Sequence, residues 1–283
     1  MTKVAISALQ SWVGKQETRC DRVTEMPVAG FSAAMDYARP RARTGEILPP
    51  LWHWLYFLAT PAASEIDVDG HAKRGGFLPP VPLPRRMWAG SVLDFESPLR
   101  VGDEITRIST IKDISLKQGA SGQLVFVTLE HEIFSGQCLA IREQQNLVYR
   151  EAATTSTMLP AKPAPAEAQW SRQITPDPVL LFRYSALTFN SHRIHYDRDY
   201  ATGGEGYAGL VVQGPLMATL LLDLLYREMP EVLLASFQFR GIRPMLDTGA
   251  YVLQGRCDSE QVELWVVDAS GGLVMSAQGR VAK

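Results

Sequence analysis

Cysteine is scarce in this chain, three in 283 residues, at positions 20, 138 and 257. An odd number, widely spaced and without the short intervals of a metal knuckle, argues against a disulfide framework and fits reduced thiols packed in a cytosolic protein. A strong charge of either sign is missing too. Twenty-eight Lys and Arg stand against 30 Asp and Glu, a formal net charge of −2, so nucleic acid is not an expected partner and any anion must be met by a local cluster. Long hydrophobic runs are absent: LWHWLYFLA (51–59) and LMATLLLDLL (216–225) fall well short of the about 20 apolar residues that span a bilayer. No membrane partner is expected. The opening MTKVAISALQSWVGKQETR lacks a true apolar core followed by a small-residue cleavage site, which argues against a secretory signal and for a cytoplasmic protein. Histidine is nearly as scarce, at five residues, yet two of them fall three positions apart in FNSHRIHYD, 189–197.

What is present is ordinary folded material, 46% apolar and 20% charged, in a length that suggests two domains or a fused pair. Proline and alanine crowd MLPAKPAPAEAQW (158–170), a composition that resists helix and sheet and marks an extended linker. It separates an N-terminal unit, 1–157, from a C-terminal unit, 171–283.

The two units repeat one another. VTEMPVAGFSAAMDYA (23–38) lies on ITPDPVLLFRYSALTF (174–189) without a gap, setting Thr24 on Thr175, Pro27 on Pro178, Val28 on Val179 and Phe31 on Phe182. An apolar helix is expected next in each unit, over LPPLWHWLYFLAT (48–60) and VQGPLMATLLLDLL (212–225), each with proline where a first turn tolerates it. LDFESPLRVGDEI (93–105) then resembles FQFRGIRPMLDTGAYV (237–252), and VTLEHEIFSGQCLA (127–140) matches VELWVVDASGGLVM (262–275). Ser135–Gly136 and Ser270–Gly271 stand at equivalent hairpin turns. Single matches of this length are weak, but their common order indicates a duplication. One long helix against a curved antiparallel sheet in each unit is an α+β architecture.

The histidine pair belongs to YSALTFNSHRIHYDRDYATGGEGYAGLVVQG, 184–214. Its glycine-rich end returns to the start of the second apolar helix, where unpaired N–H groups carry positive character. Gly214, before Pro215, offers a free N–H and no side chain, as a donor to a substrate carbonyl requires. The order of Tyr184, small residues, and His195 five positions after residue 190, with small Ala201 beyond, resembles the signature of the MaoC-like hydratases and dehydratases of the hot-dog fold. The strings YSALTFNSHRIHYDRDYA and GLVVQGPL, together with FLPPVPLPRRMWAGS and REQQNLVYR from the first unit, resemble the subgroup that includes hydroxyacyl-thioester dehydratase type 2 and the mesaconyl-C4-CoA and itaconyl-CoA hydratases.

The resemblance covers nearly the whole chain and implies a fused double hot dog. It implies a hydro-lyase that reversibly hydrates a short-chain branched or dicarboxylic enoyl-CoA thioester, itaconyl-CoA or mesaconyl-C4-CoA to citramalyl-CoA, with neither cofactor nor metal. A CoA-thioester substrate and a homo-oligomer, a dimer by preference, are the expected partners. A 3-hydroxyacyl-ACP or -CoA dehydratase of fatty-acid synthesis and a non-catalytic acyl-CoA-binding module are the alternatives. A hot-dog thioesterase is disfavoured, because leucines dominate the helix and Asp223 is its one nearby acid.

In that family an aspartate and a histidine form the acid–base pair. Here position 190 is Asn, and positions 192 and 193 are His and Arg rather than Asn and Pro. An amide accepts no proton at neutral pH, so the pair is not carried over intact. Two repairs are open. His195 serves as the single proton shuttle, its affinity near neutrality, with Asn190 orienting the water, or Asp197 pairs with His195 or His192 and sets its tautomer. The first is preferred, with Gly214 as the oxyanion donor. Tyr184, His192, Arg193 and Asp197 are then substrate-contacting or supporting residues, and Arg193 or His192 is the counter-charge for a second carboxylate. Arg240 and Arg243 are candidate grips for coenzyme A phosphates, as are Arg85 and Arg86, and a solvated surface explains all four nearly as well. The plain reading of His192 and His195 is hydrogen-bonded core histidines; as a metal pair they lack an evident third ligand. GGEGYAG (203–209) reads as a loop over the site. In the first unit Arg39 and Thr44 occupy the positions of Asn190 and His195, so that unit is expected to furnish a wall of the acyl tunnel, Trp52, Trp54, Tyr56 and Phe57 being read first as core.

Overall fold

Period-two burial shapes most of the molecule. In β4 (Gly122–Ser135) buried and half-buried residues alternate along nearly the whole strand, the pattern of a sheet with one face on a core. The computed structural model describes residues 4–38, 42–119, 122–151 and 162–282. Besides β4 the strands are β1 (Gln16–Arg22), β2 (Arg85–Phe95), β3 (Glu104–Gly119), β5 (Cys138–Arg150), β6 (Trp170–Ile174), β7 (Leu234–Gly241), β8 (Tyr251–Asp258), β9 (Gln261–Asp268) and β10 (Leu273–Val281). They form one antiparallel sheet in the order β1-β3-β4-β5-β2-β7-β10-β9-β8-β6. The second five mirror the first, strand for strand, about the seam between β2 and β7. This is the duplication expressed as topology, and the two hairpin turns expected at Ser135–Gly136 and Ser270–Gly271 join β4 to β5 and β9 to β10.

The helices are α1 (Ile6–Gln10), α2 (Glu25–Ala34), α3 (Pro178–Leu187) and α4 (Gly214–Glu228). The aligned segments around Pro27 and Pro178 are α2 and α3, which pack on each other. Asp177 caps α3, its Oδ1 accepting from the Val179 and Leu180 N–H groups at 2.7 and 3.1 Å. Every residue from Leu216 to Leu225 of α4 is buried. A helix of good formers that is apolar on all sides needs an enclosing partner; β2, β6, β8, β9 and β10 all touch it. Its one buried acid, Asp223, is matched by Tyr37 Oη at 2.6 Å, by Arg227 Nε at 2.9 Å and by Arg172. Nine residues of rise put it about 13 Å along the axis from Gly214. Among the described residues no helix is long and apolar enough to cross a membrane.

The long helix expected over 48–60 is not formed. The segment makes one 3₁₀ turn, Trp52–Leu55, between Leu51 at φ 71° and Phe57 at φ 57°. Pro49 and Pro50 withhold the N–H groups of a preceding turn, and the bulky side chains are drawn to separate anchors. Trp52 packs on Phe31 with ring centroids 4.7 Å apart, Trp54 Nε1 donates to buried Glu143 at 3.0 Å, and Tyr56 Oη donates to the Thr24 carbonyl at 2.6 Å. The aromatic residues are therefore core, and α4 is the single long helix of the described chain. Cysteine also departs from expectation, since Cys20 and Cys138 are exposed rather than packed. Of the expected linker, 158–161 lie outside the described residues. Its remainder runs against the second unit, Pro163 bridging Gly272 and Gln169 N donating to the Gly255 carbonyl at 2.9 Å.

Candidate active site

The turn leaving α3 is tight. Thr188, Phe189 and Asn190 donate back to the carbonyls of Tyr184, Ala186 and Ser185 at 3.0, 3.3 and 2.8 Å, and Phe189 takes φ 48°. Asn190 Oδ1 then accepts the His192 N–H at 3.1 Å, an Asx turn that directs the next residues inward. A 3₁₀ turn, Arg193–His195, follows. It ends beside the strand-like segment 210–212, whose Val211 N–H donates to the Ile194 carbonyl at 2.9 Å. The Val211 carbonyl lies 2.7 Å from His195 Nδ1. A carbonyl only accepts, so Nδ1 carries the proton and Nε2 keeps its lone pair. Two residues after Val211, Gln213 stands at the N-cap position of α4, and its Nε2 donates to the Leu181 carbonyl at 3.0 Å and Ser185 Oγ at 2.9 Å, both of α3. The N-terminus of α4, with Gly214, is thereby fixed to α3 and follows directly on the segment that orients His195. Among the described residues nothing crowds Gly214, where an added Cβ would meet the Trp88 carbonyl at an ordinary 3.6 Å.

Three of the five histidines meet here. His192 and His195 are both buried, with ring centroids 5.3 Å apart and planes at 90°. His71, from the first unit, stacks on His192 at 3.9 Å. Its Nδ1 lies 2.9 Å from Asp69 Oδ2. The loop that carries it is clamped to the histidine turn: Ser191 Oγ donates to the Gly70 carbonyl at 2.6 Å, and the Arg193 N–H donates to the Asp69 carbonyl at 2.9 Å. Gly70 has φ +89°, and an added Cβ would fall 1.8 Å from the Ser191 carbonyl oxygen, so only glycine fits this close approach. His192 Nε2 has a carboxylate at longer range, Glu205 Oε1 at 3.7 Å.

Burial, reinforced by the neighbouring His192, pushes His195 down to about 3, against the opposing effect of the Val211 carbonyl. Burial likewise brings His71 to about 3, with Arg86 adding to the effect and Asp69 opposing it. Against the upward push of burial, the hydrogen bond from His71 holds the Asp69 carboxyl well below the usual range. At neutral pH His195 and His71 are therefore neutral and Asp69 is ionised. An affinity near neutrality for His195, expected above, is corrected by this burial.

The remaining expected residues divide. Asp197 does not pair with either histidine; its Oδ2 accepts Arg193 Nε and Nη2 at 2.9 and 2.7 Å. Arg193 also donates to the Val68 carbonyl at 3.1 Å and lies over the Tyr200 ring, so its fork is spent holding the two units together and is not a free counter-charge. Tyr184 is buried in the core against Phe31, and burial pushes its hydroxyl upward. Arg243 pairs with Asp268 and donates to the Leu273 carbonyl at 3.2 Å with its side chain buried, which removes it as a phosphate grip, whereas Arg240 is exposed on β7. Arg85 lies over the Tyr207 ring and holds Glu205 through its backbone carbonyl and carboxylate. The 203–209 loop is thus fastened to β2. Thr44 is exposed and donates to Glu25 Oε1 at 3.1 Å; Arg39 lies outside the described residues.

Asp69 and His71 are the residues that reading the sequence misses, and Arg85, read there as a phosphate grip, holds Glu205 of the 203–209 loop instead. Only the Asp69–Gly70 turn gives a local signal, and nothing near it in the chain points to residue 192. The first unit therefore contributes side chains to the histidine cluster. It also furnishes the third ligand type that a metal would want, since Asp69, His71 and His192 each bring a donor atom within 4.8 Å of the others. The two imidazoles are stacked at 35°, however, so their in-plane lone pairs do not converge on one point as coordination requires.

The repeated five-strand arrangement around a single long helix, with a buried histidine close to that helix's N-terminus, defines a double hot-dog protein. Solved structures agree on the fold: a MaoC-like dehydratase from Phytophthora capsici matches with a TM-score of 0.70 at 12% identity, covering 99% of both chains. A Mycobacterium tuberculosis protein described as having a double hot-dog fold matches with a TM-score of 0.61 at 12% identity, over 95% of this chain and 96% of that one. The family model for hydroxyacyl-thioester dehydratase type 2 matches residues 51–247. Mesaconyl-C(4)-CoA hydratase of Chloroflexus aurantiacus is 41% identical over 94% of this chain and 95% of its own. The mitochondrial hydroxyacyl-thioester dehydratase type 2 of Schizosaccharomyces pombe is 31% identical over 77% and 80%. The chain belongs to the hydroxyacyl-thioester dehydratase type 2 family and is a hydro-lyase of the hydratase and dehydratase type.

Proposed function

We propose that the chain reversibly adds water to a short-chain branched or dicarboxylic enoyl-CoA, with mesaconyl-C4-CoA or itaconyl-CoA as substrate and citramalyl-CoA as product. The observation that carries this reading is the neutral, buried His195, its tautomer set by the Val211 carbonyl three residues before the uncrowded Gly214 at the head of α4. The 41% identity to a mesaconyl-C(4)-CoA hydratase supports the choice of acyl group.

In this mechanism the thioester carbonyl oxygen accepts the Gly214 N–H. As water attacks the β-carbon, its proton passes to His195 Nε2 and the π electrons become an enolate, stabilised by that N–H and by the dipole of α4. The imidazolium formed next to the enolate is stabilised by its charge, and it returns the proton to the α-carbon. The free carboxylate of a dicarboxylic substrate is assigned to Arg86, which is near enough to His71 to lower its proton affinity and has no ion pair among the described residues, with His192 beside it.

A spectrophotometric screen of enoyl-CoA thioesters with product mass tests the reading. Dicarboxylic thioesters should be hydrated faster than crotonyl-CoA, and Arg86→Ala should remove that preference. Faster turnover of 3-hydroxyacyl-ACP thioesters would favour the dehydratase reading, which the Schizosaccharomyces relative's name supports. The pH profile is a separate test. A base held at about 3 is unprotonated down to mild acid, so kcat/KM, which reports the free enzyme, should stay level from pH 8 to about pH 5. An acid limb centred near 6.5, the ordinary histidine value, would show that burial does not hold the base down.

A further inference from the structure

Hydration needs a water held in line with the β-carbon as well as a base to deprotonate it. Asn190 is poorly placed for the first task, because its Oδ1 accepts the His192 N–H. His71 meets the requirement better. Asp69 Oδ2 stands 2.9 Å from its Nδ1, and a carboxylate accepts, so the proton resides on Nδ1 and Nε2 is an acceptor. His71 and His195 therefore present the same tautomer, each fixed by a different partner and each in ring contact with His192.

We propose that His71, contributed by the N-terminal repeat and oriented by Asp69, is a catalytic residue that holds the attacking water by one O–H while His195 removes the proton from the other. This rests on the hydratase reading above. The proton balance closes: one water proton passes through His195 to the α-carbon, and the other stays on the new hydroxyl, donated to His71 Nε2. In the reverse direction the same contact positions the departing hydroxyl.

The construction around His71 supports a role that depends on placement. Asp67 N donates to the His71 carbonyl at 2.7 Å and Gly70 N to the Asp67 carbonyl at 2.9 Å, closing the loop on itself, while Asp69 Oδ1 accepts the His71 N–H at 2.8 Å. Gly70, Ser191 and Arg193 then lock that loop to the histidine turn of the other repeat. The groups facing the imidazole are Asp69 from its own loop, Arg86 from β2 and His192 from the turn after α3. The His71 side chain itself is about one-fifth exposed, so it is not there to fill a core.

The test uses the full chain with the best thioester from the screen. His71→Leu should lower kcat about 100-fold with KM changed less than threefold, and His71→Gln, which restores an acceptor, should recover about tenfold of that loss. Asp69→Asn frees the tautomer and should lower kcat by about 30-fold, with the ¹⁵N shifts of His71 moving from the Nδ1–H pattern towards a mixture, a change that a purely structural role would not produce. EDTA should leave turnover unchanged. An active wild type with His71→Leu within twofold overturns the inference alone, as does activity lost to EDTA and restored by zinc. A wild type that hydrates no thioester overturns the hydratase reading and this inference together.

Discussion

His195→Ala is expected to lower kcat for thioester hydration by about 1,000-fold, within the range for loss of a general acid–base group, while leaving KM within a few-fold. The substitution removes the only contact His195 makes to the Val211 carbonyl, yet Val211 remains tied to Ile194 and Leu246 through the backbone, so the entrance to α4 should keep its position. The binding groups at Gly214 and Arg86 are untouched. His195→Gln gives a stricter comparison, since the amide can donate to the same carbonyl without cycling a proton. Stopped assays at several substrate concentrations would separate kcat from KM; a loss confined to KM would mean that His195 binds substrate and another group moves the proton.

Local periodicity and turn chemistry made much of this architecture readable. The Ser–Gly turns and the largely apolar stretch at 216–225 each depend on neighbours a few residues apart, and each forms where the pattern places it. The internal repeat added the long-range information that strands alone lack, and the mirrored strand order is its consequence. Residues 48–60 carry a similar apolar density and do not form a helix. The difference lies in what surrounds them: the interior already holds α4, and Trp52, Trp54 and Tyr56 have anchors in three directions. Hydrophobic content told that these residues would be buried and was silent on the backbone that would bury them.

The site was readable in part for the same reason. His192 and His195 share one turn, so their proximity is local, and the position of Gly214 follows from the helix start. The partners of those groups are distant in sequence. Val211 orients His195 from 16 residues away, and Arg193 reaches Val68 across 125. Charge pairing is the least local property of all: Arg193 and Arg243 resemble ligand-binding arginines in sequence and are structural in the fold because Asp197 and Asp268 take their forks.

Gly90→Ala is expected to be the most damaging conservative change in the sheet, lowering stability by about 3 kcal/mol, the upper end for overpacking, and Tm by roughly 6 °C in a chain of this size. Gly90 sits at the seam, paired with Arg240 of β7 and Asn146 of β5. An added methyl would lie 2.1 Å from the Phe239 carbonyl oxygen and 3.2 Å from Arg240 Cα. Those are backbone atoms of the ladder itself, so relief requires β2 and β7 to separate. The ladder at this seam is short, Gly90 to Asp94 against Ser236 to Arg240, and β2 also carries Arg85, which fastens Glu205 beside His192. Activity should therefore fall with stability. Gly241→Ala is the control, because its methyl would meet the Ala89 carbonyl at an unstrained 3.7 Å across the same seam. Thermal unfolding of the two variants measures the difference directly, and equal Tm values would show that the close approach at Gly90 relaxes without opening the junction.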